Sequence, residues 1–394
     1  MYAKRIQRIA PFRVVELLER AKQLEAEGRE VVHLEVGEPD FPTAQPIIDA
    51  AHRALDGGAT KYTQAMGIPA LRERIAHYYQ ESSGIRVAPE RVVVTSGASA
   101  GLLLLSALLL DPGDELLLTD PGYPCNEVFV WLVNGEPVRI PLLAEDGFQI
   151  TPAQVEICWS PRTRGLLLAS PANPTGTLVP GQVLVALAEL IRGRGGFLIL
   201  DEIYQGLTYG DTTAGGGDYR SGLSLTDDAY VLNSFSKYFG MTGWRLGWMV
   251  LPEQAVPAVA RLAQNLFISP ASLSQHAALA AFEPAAMAIH EQRRQAFEHR
   301  LTVLVQGLEE LGFVIPARPA GAFYVYADIS HTRLDAVEFC RRLLEEFYVA
   351  ATPGVDFGER HTGSYVRFAF TASEERIRLG LARLEQALRA WGMA

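Results

Sequence analysis

Cysteine is scarce: Cys125, Cys158 and Cys340 are the only three in 394 residues, and they lie far apart. An odd, scattered set without a C-x-x-C pair excludes a disulfide framework and a zinc site. It reads as reduced core thiols of a cytosolic protein. Long apolar runs are also missing. The greasiest, 102–110, is nine residues with Ser106 inside it, far short of the ~20 needed to cross a bilayer. Residues 1–12 hold no apolar core segment, so no secretory signal is expected and the protein reads as soluble. Positive charge is not in excess: the net charge is −10 and the pI near 5.4, which argues against nucleic acid as the main partner. A local pocket can still oppose that overall sign and hold a small anion. Repeats and low-complexity segments are absent too. What remains is 48% hydrophobic and 20% charged, a globular composition long enough for two domains.

Taken in order, 12–28 has apolar residues at helical spacing and ends in Gly28. A short strand at 31–36 runs into Gly37-Glu38-Pro39-Asp40-Phe41-Pro42, whose glycine and prolines forbid regular structure. Helices are predicted at 46–55 and 69–79. Then strand and helix alternate: strand 92–94, turn 95–99, helix 100–110, strand 115–119, and further strands at 165–169, 197–200, 230–233 and 247–250, with a helix at 180–192. Short, continuously apolar strands between helices imply a mainly parallel sheet covered on both faces. Gly215-Gly216-Gly217 reads as a mobile surface loop. A long helix at 280–311 opens a different pattern, with strands at 323–327 and 366–369 and helices at 334–347 and 374–391. The change sets a domain boundary near 285–300.

The stretch with the most chemistry is Ser234-Phe235-Ser236-Lys237, followed by Gly240, Gly243, Arg245 and Gly247. A lysine behind two hydroxyls and ahead of glycines and an arginine suits an anionic ligand; a lone Ser-x-Lys is more often a solvated loop lysine. Ser96-Gly97-Ala98-Ser99 lies between strand and helix, where backbone N–H groups and the helix dipole favour an anion. A turn without a ligand is the plain alternative, and the third glycine of a dinucleotide fingerprint is missing. Asp201 and Tyr204 follow an apolar strand at the sheet edge where α/β proteins bind ligands, although such carboxylates also cap helices. Asn173, before Pro174, sits at the same edge, or forms an Asx turn. Arg367 is a charge inside an alternating strand. It needs a partner, which a substrate carboxylate or a structural ion pair can supply.

In this order, Asn173, Asp201, Tyr204, Ser234, Lys237, Arg245 and Arg367 resemble the class I/II aminotransferases of fold type I, which use pyridoxal phosphate. The resemblance runs from Gly37-Glu38-Pro39-Asp40-Phe41 through Lys61-Tyr62-Thr63 to Arg367, and its most specific string is Ser-Phe-Ser-Lys with Gly-Met-Thr-Gly-Trp-Arg-x-Gly. It implies a three-layer α/β/α large domain with a mainly parallel sheet (46–289) and a smaller α+β domain from both chain ends (1–45 and 290–394). It implies Lys237 as the Schiff-base lysine and proton carrier, and Asp201 as the partner of the ring nitrogen. Asn173 and Tyr204 would serve the phenolic oxygen, and Tyr123 the ring face. Ser96, Gly97, Ala98, Ser99, Ser234, Ser236 and Arg245 would surround the phosphate, with Tyr62 reaching it from a neighbouring subunit. Gly37, Asn173 and Arg367 would hold the substrate. One departure is visible: Ala98 stands where many relatives carry a longer side chain, leaving only its N–H.

These implications make the chain a cytoplasmic, homodimeric amino-acid:2-oxoacid aminotransferase, with no metal, nucleic acid or membrane partner. A C–S β-lyase on the same scaffold shares every cofactor residue; a need for a 2-oxoacid acceptor separates the two. A non-catalytic ligand-binding module, of the kind fused to DNA-binding domains, fits less well, because about a dozen residues before the first helix leave no room for one. The stretches expected to line the substrate pocket (34–42, 62–68, 95–105, 121–126, 265–275) hold no arginine or lysine, with Arg13, Lys61 and Arg318 just outside.

Overall fold

Strands without a polar face need cover on both sides, and the chain alternates strand and helix to supply it. The computed structural model describes residues 2–11, 13–210 and 221–393; Phe12 and Gly215-Gly216-Gly217 lie outside the described residues. Helix α1 (Arg13–Ala26) leads to β1 (Val32–His33), α2 (Gln45–Asp56) and α3 (Pro69–Ser83). Then come β2 (Val92–Thr95), α4 (Ala98–Leu109), β3 (Glu115–Asp120), α5 (Cys125–Leu132), β4 (Glu136–Pro141) and α6 (Pro152–Cys158). They are followed by β5 (Thr163–Ala169), α7 (Gly181–Gly193), β6 (Phe197–Asp201), β7 (Tyr230–Ser234), β8 (Gly247–Val250), α8 (Val256–Leu266) and α9 (Ser272–Leu279). The long α10 (Pro284–Glu310) precedes β9 (Tyr324–Asp328), α11 (Ala336–Phe347), β10 (Val349–Ala350), β11 (Thr352–Pro353), β12 (Tyr365–Ala369) and α12 (Glu374–Ala390).

The main sheet has the order β2-β8-β7-β6-β5-β3-β4. Only β8 runs against its neighbours, β2 and β7; the pairs among β3 to β7 are parallel. Side chains alternate between its two apolar layers. Val92, Val94, Leu166, Leu168, Leu198 and Leu200 meet Leu71 and Ile75 of α3, Leu184 and Leu187 of α7, and Ala277 of α9. Val93, Leu167 and Ile199 meet Leu102 and Leu105 of α4, Val130 of α5 and Val259 of α8. Each such leucine contributes roughly 1.5–3 kcal/mol on burial, and the result is a three-layer α/β/α arrangement. A third apolar cluster joins Val325 and Phe368 of the antiparallel β11-β12-β9 sheet to Leu304 and Leu308 of α10, Phe339 of α11 and Leu384 of α12.

Three expectations need correction. The strand foreseen at 31–36 keeps ladder geometry only over Val32–His33, because the Glu35 carbonyl is taken by the Arg367 side chain, at 2.7 Å. The helix foreseen from residue 100 starts at Ala98, directly after Gly97 at φ +78°. Of the cysteines only Cys340 is buried; Cys125 and Cys158 are half-exposed.

Candidate active site

Parallel strands deliver their C-terminal ends to one edge, so residues distant in sequence meet there. Register places Ala169 beside Asp201, Asp201 beside Leu232, and Ser234 beside Gly247. The loops after β2, β3, β5 and β7, with the turn before β8, therefore share one rim. A cavity of about 310 Å³ opens at that rim. Gly37, Ala98, Ser99, Tyr123, Asn173, Asp201, Tyr204, Ser234, Ser236, Lys237, Arg245 and Arg367 all line it. Gly97 lies just behind the wall. Ser96 is half-buried off it, and Tyr62 stands 80% exposed on the loop between α2 and α3. Leu102 lies in the stretch 95–105 expected to line the pocket, whereas sequence reasoning missed Val14, Ala169, Ile203, Thr242 and Tyr324 on this wall.

At one end the α4 N-terminus points its N–H groups inward with no side-chain cap. Arg245 sits in the left-handed region (φ 51°) and lays its guanidinium against Gly97. A Cβ on Gly97 would come within 2.7 Å of Nη2 and push the guanidinium aside, and φ +78° itself favours glycine. Ser234 Oγ accepts the Ser236 N–H at 3.0 Å. Helix N-terminus, guanidinium and hydroxyls together form a donor set for a phosphate.

In the centre, Lys237 Nζ donates to the Gly37 carbonyl at 2.7 Å. Burial pushes its ammonium down to about 8; Glu38 opposes this, while Arg367 and Arg245 reinforce it. Asp201, 5% exposed, is pushed up to about 6 by burial, against the Ile203 N–H and the charge of Lys237. The Tyr204 hydroxyl lies 2.9 Å from that of Tyr324, and burial holds its proton firmly in place.

At the far end Arg367 is 3% exposed. It donates through Nη1 to Asn173 Oδ1 (3.0 Å) and through Nη2 to the Glu35 carbonyl (2.7 Å) and Thr352 Oγ1 (3.3 Å). Tyr324 and Phe357 flank the guanidinium at 4.2 and 4.7 Å. Among the described residues no carboxylate forms an ion pair with it, and its Nε is buried without a partner. A buried cation in that state is set for an incoming anion.

The residues fit pyridoxal phosphate: a phosphate cradle, an amine of lowered pKa, a carboxylate for a ring nitrogen and an aromatic wall in Tyr123. Bound there, the group would supply an electron sink for carbanion chemistry.

Comparison with known proteins agrees with the geometry. The family model for aminotransferase class I and II matches residues 29–384. The valine–pyruvate aminotransferase of Mycobacterium tuberculosis is 38% identical over 376 residues, 95% of this chain and 96% of that protein. The aspartate/prephenate aminotransferase of Thermus thermophilus is 36% identical over 388 residues, 98% of each. The crystal structure of an aminotransferase from Mycobacterium tuberculosis superposes with a TM-score of 0.94 at 37% identity, covering 99% of both chains. The chain belongs to the class I and II aminotransferases and is a pyridoxal-phosphate-dependent enzyme.

Proposed function

We propose that this enzyme moves the amino group of a monocarboxylic amino acid to a 2-oxoacid by a ping-pong cycle. Lys237 holds the cofactor covalently and carries the proton. The observation behind the substrate reading is Arg367, a buried guanidinium with a free Nε in the same cavity as Lys237. It binds the carboxylate that amino acid and oxoacid share, with Asn173 and the Gly37 backbone beside it. Asp201 keeps a proton on the ring nitrogen, Tyr204 and Asn173 serve the phenolic oxygen, and Tyr123 covers the ring. Ala98, Ser99, Ser234, Ser236 and Arg245 hold the phosphate.

A dicarboxylic substrate wants a second cation. The lining cations among the described residues are Lys237, Arg245 and Arg367, each with a role; Arg13, Lys61 and Arg318 do not reach the wall. Arg13 faces Asp356 at 3.9 Å instead. Val14 and Leu102 give apolar surface. The relatives compared carry valine in one name and aspartate in another, so the pocket has to decide. Alanine, leucine and phenylalanine are expected to be used at least as well as aspartate, and only with an added 2-oxoacid. The check is kcat/KM for these donors and glutamate, with 2-oxoglutarate or pyruvate as acceptor. A preference for aspartate of ~100-fold, about 2.7 kcal/mol, would overturn the reading. Turnover without an acceptor would point to β-elimination.

We also read 46–289 as the cofactor domain and 1–45 with 290–394 as the small one, supported by two apolar clusters that divide mostly along this line, with Tyr204, Leu207 and Tyr209 crossing it. The enzyme is read as a cytoplasmic homodimer. Tyr62, Leu266 and Ile268 are 80%, 51% and 53% exposed, and their segments are tied together, Thr63 N–H donating to Ser269 Oγ. Such an apolar patch suits a partner subunit. Sedimentation is expected to give a dimer, and Tyr62→Ala to weaken cofactor binding; a monomer with full activity would sink this.

A further inference from the structure

Asp120 ends β3 at the cavity rim, three residues before Tyr123, and is 2% exposed. Among the described residues it makes no ion pair. Its Oδ2 accepts the N–H groups of Glu359 (3.2 Å) and Arg360 (3.4 Å). Its Oδ1 has no hydrogen-bond partner and is packed so closely on Gly358 that a methyl there would overlap the carboxylate. One turn on, the Gly122 N–H donates to the Phe357 carbonyl at 2.8 Å. Phe357 in turn lies under the Arg367 guanidinium at 4.7 Å. A buried carboxylate without an ion pair is costly, and the Arg139 charge reaches Asp120 only through space. The Arg139–Glu359 pair beside it, with Glu359 78% exposed, adds little.

We propose that Asp120 is a positioning residue: it fixes loop 357–360 and thereby sets Arg367, on one side of the cavity, relative to Tyr123 on the other. The proposal rests on the reading of Arg367 as the substrate-carboxylate group. It goes further by assigning the support of that group to a residue of the main sheet, while Arg367 itself lies on the β11-β12-β9 sheet.

The experiment uses the holoenzyme, four single variants and one double variant. Asp120→Ala should raise KM for amino donor and oxoacid alike, about tenfold, with kcat changed less than about threefold. Asp120→Asn keeps an acceptor oxygen for the two N–H groups and should stay within about twofold of the parent. Gly358→Ala should raise KM like Asp120→Ala, yet add nothing in the Asp120→Ala background, where the struck carboxylate is gone. Hydrogen exchange across 354–361, read without substrate, should quicken in Asp120→Ala and Gly358→Ala only. Equal KM effects of Ala and Asn at 120, additive effects of the two sites, or unaltered exchange would each overturn the proposal. Arg367→Lys separates the two claims. If it raises KM while Asp120→Ala does not, the assignment of Asp120 fails. If it leaves KM unchanged, the reading of Arg367 fails and takes the proposal with it.

Discussion

Lys237→Ala is expected to yield a folded chain whose turnover has fallen at least about ten-thousandfold, about 5.4 kcal/mol of barrier. The chain has four lysines, and Lys4, Lys22 and Lys61 are exposed. Only Lys237 lines the cavity, and burial pushes it down to about 8. At pH 7 about a tenth of such an amine is neutral and nucleophilic, against about one in three thousand for an ordinary lysine. The depressed value also sets a sign. Cofactor uptake by the apo chain should accelerate as pH rises toward 8 and level off above it. A rate still climbing at pH 10 would contradict the burial argument. Borohydride reduction of the holoenzyme, followed by peptide mapping, should place the label on Lys237; label on another lysine would sink the assignment.

How legible the sequence was depended on where the reason for each element lay. Strands β2, β5, β6 and β7 could be read because burial on both faces makes them continuously apolar, as in Leu166-Leu167-Leu168. Strand β4 was missed: Pro137, Arg139 and Pro141 break its apolar run, which an edge strand tolerates. Helices α5, α6, α8 and α9 were missed as well. α5, α6 and α9 are short, seven or eight residues, and α9 mixes serine and glutamine with alanine.

The cavity wall divides the same way. Asp201 ends β6, and Asn173 and Lys237 follow the ends of β5 and β7 within about one turn of chain, so chain order alone puts them on one rim. Tyr324, Phe357 and Val14 reach the site only through tertiary packing. Tyr324 meets Tyr204 across 120 positions, and the Val14 N–H is fixed by Asp356 from 342 positions away, at 3.0 Å. No local pattern records such a contact. Arg367 was half legible: a charge in an alternating strand demands a partner, but only the structure shows that its Nε lacks one.

Asp201→Asn is expected to keep the cofactor and lose at least about a thousandfold in turnover, about 4 kcal/mol. The phosphate cradle and Lys237 are untouched by the change, and the amide is nearly isosteric, so binding and melting temperature should hold. What goes is charge. A carboxylate stabilises a proton on the ring nitrogen, and with it the positive ring into which electrons from the substrate carbon flow; a neutral amide does not. Asp201 is suited to this because burial raises it only to about 6, leaving it mostly ionised at pH 7 and close enough in energy to share a proton strongly. The raised value also sets an acid limb for the cofactor-free chain: there the Asp201 carboxyl should titrate near about 6, followed by NMR, and that value should fall once the positively charged ring is bound beside it. Asp201→Asn should erase that titration along with the rate. A well-folded variant with unchanged turnover would reduce Asp201 to the acceptor of the Ile203 N–H, 3.1 Å away, a turn cap with no part in the chemistry.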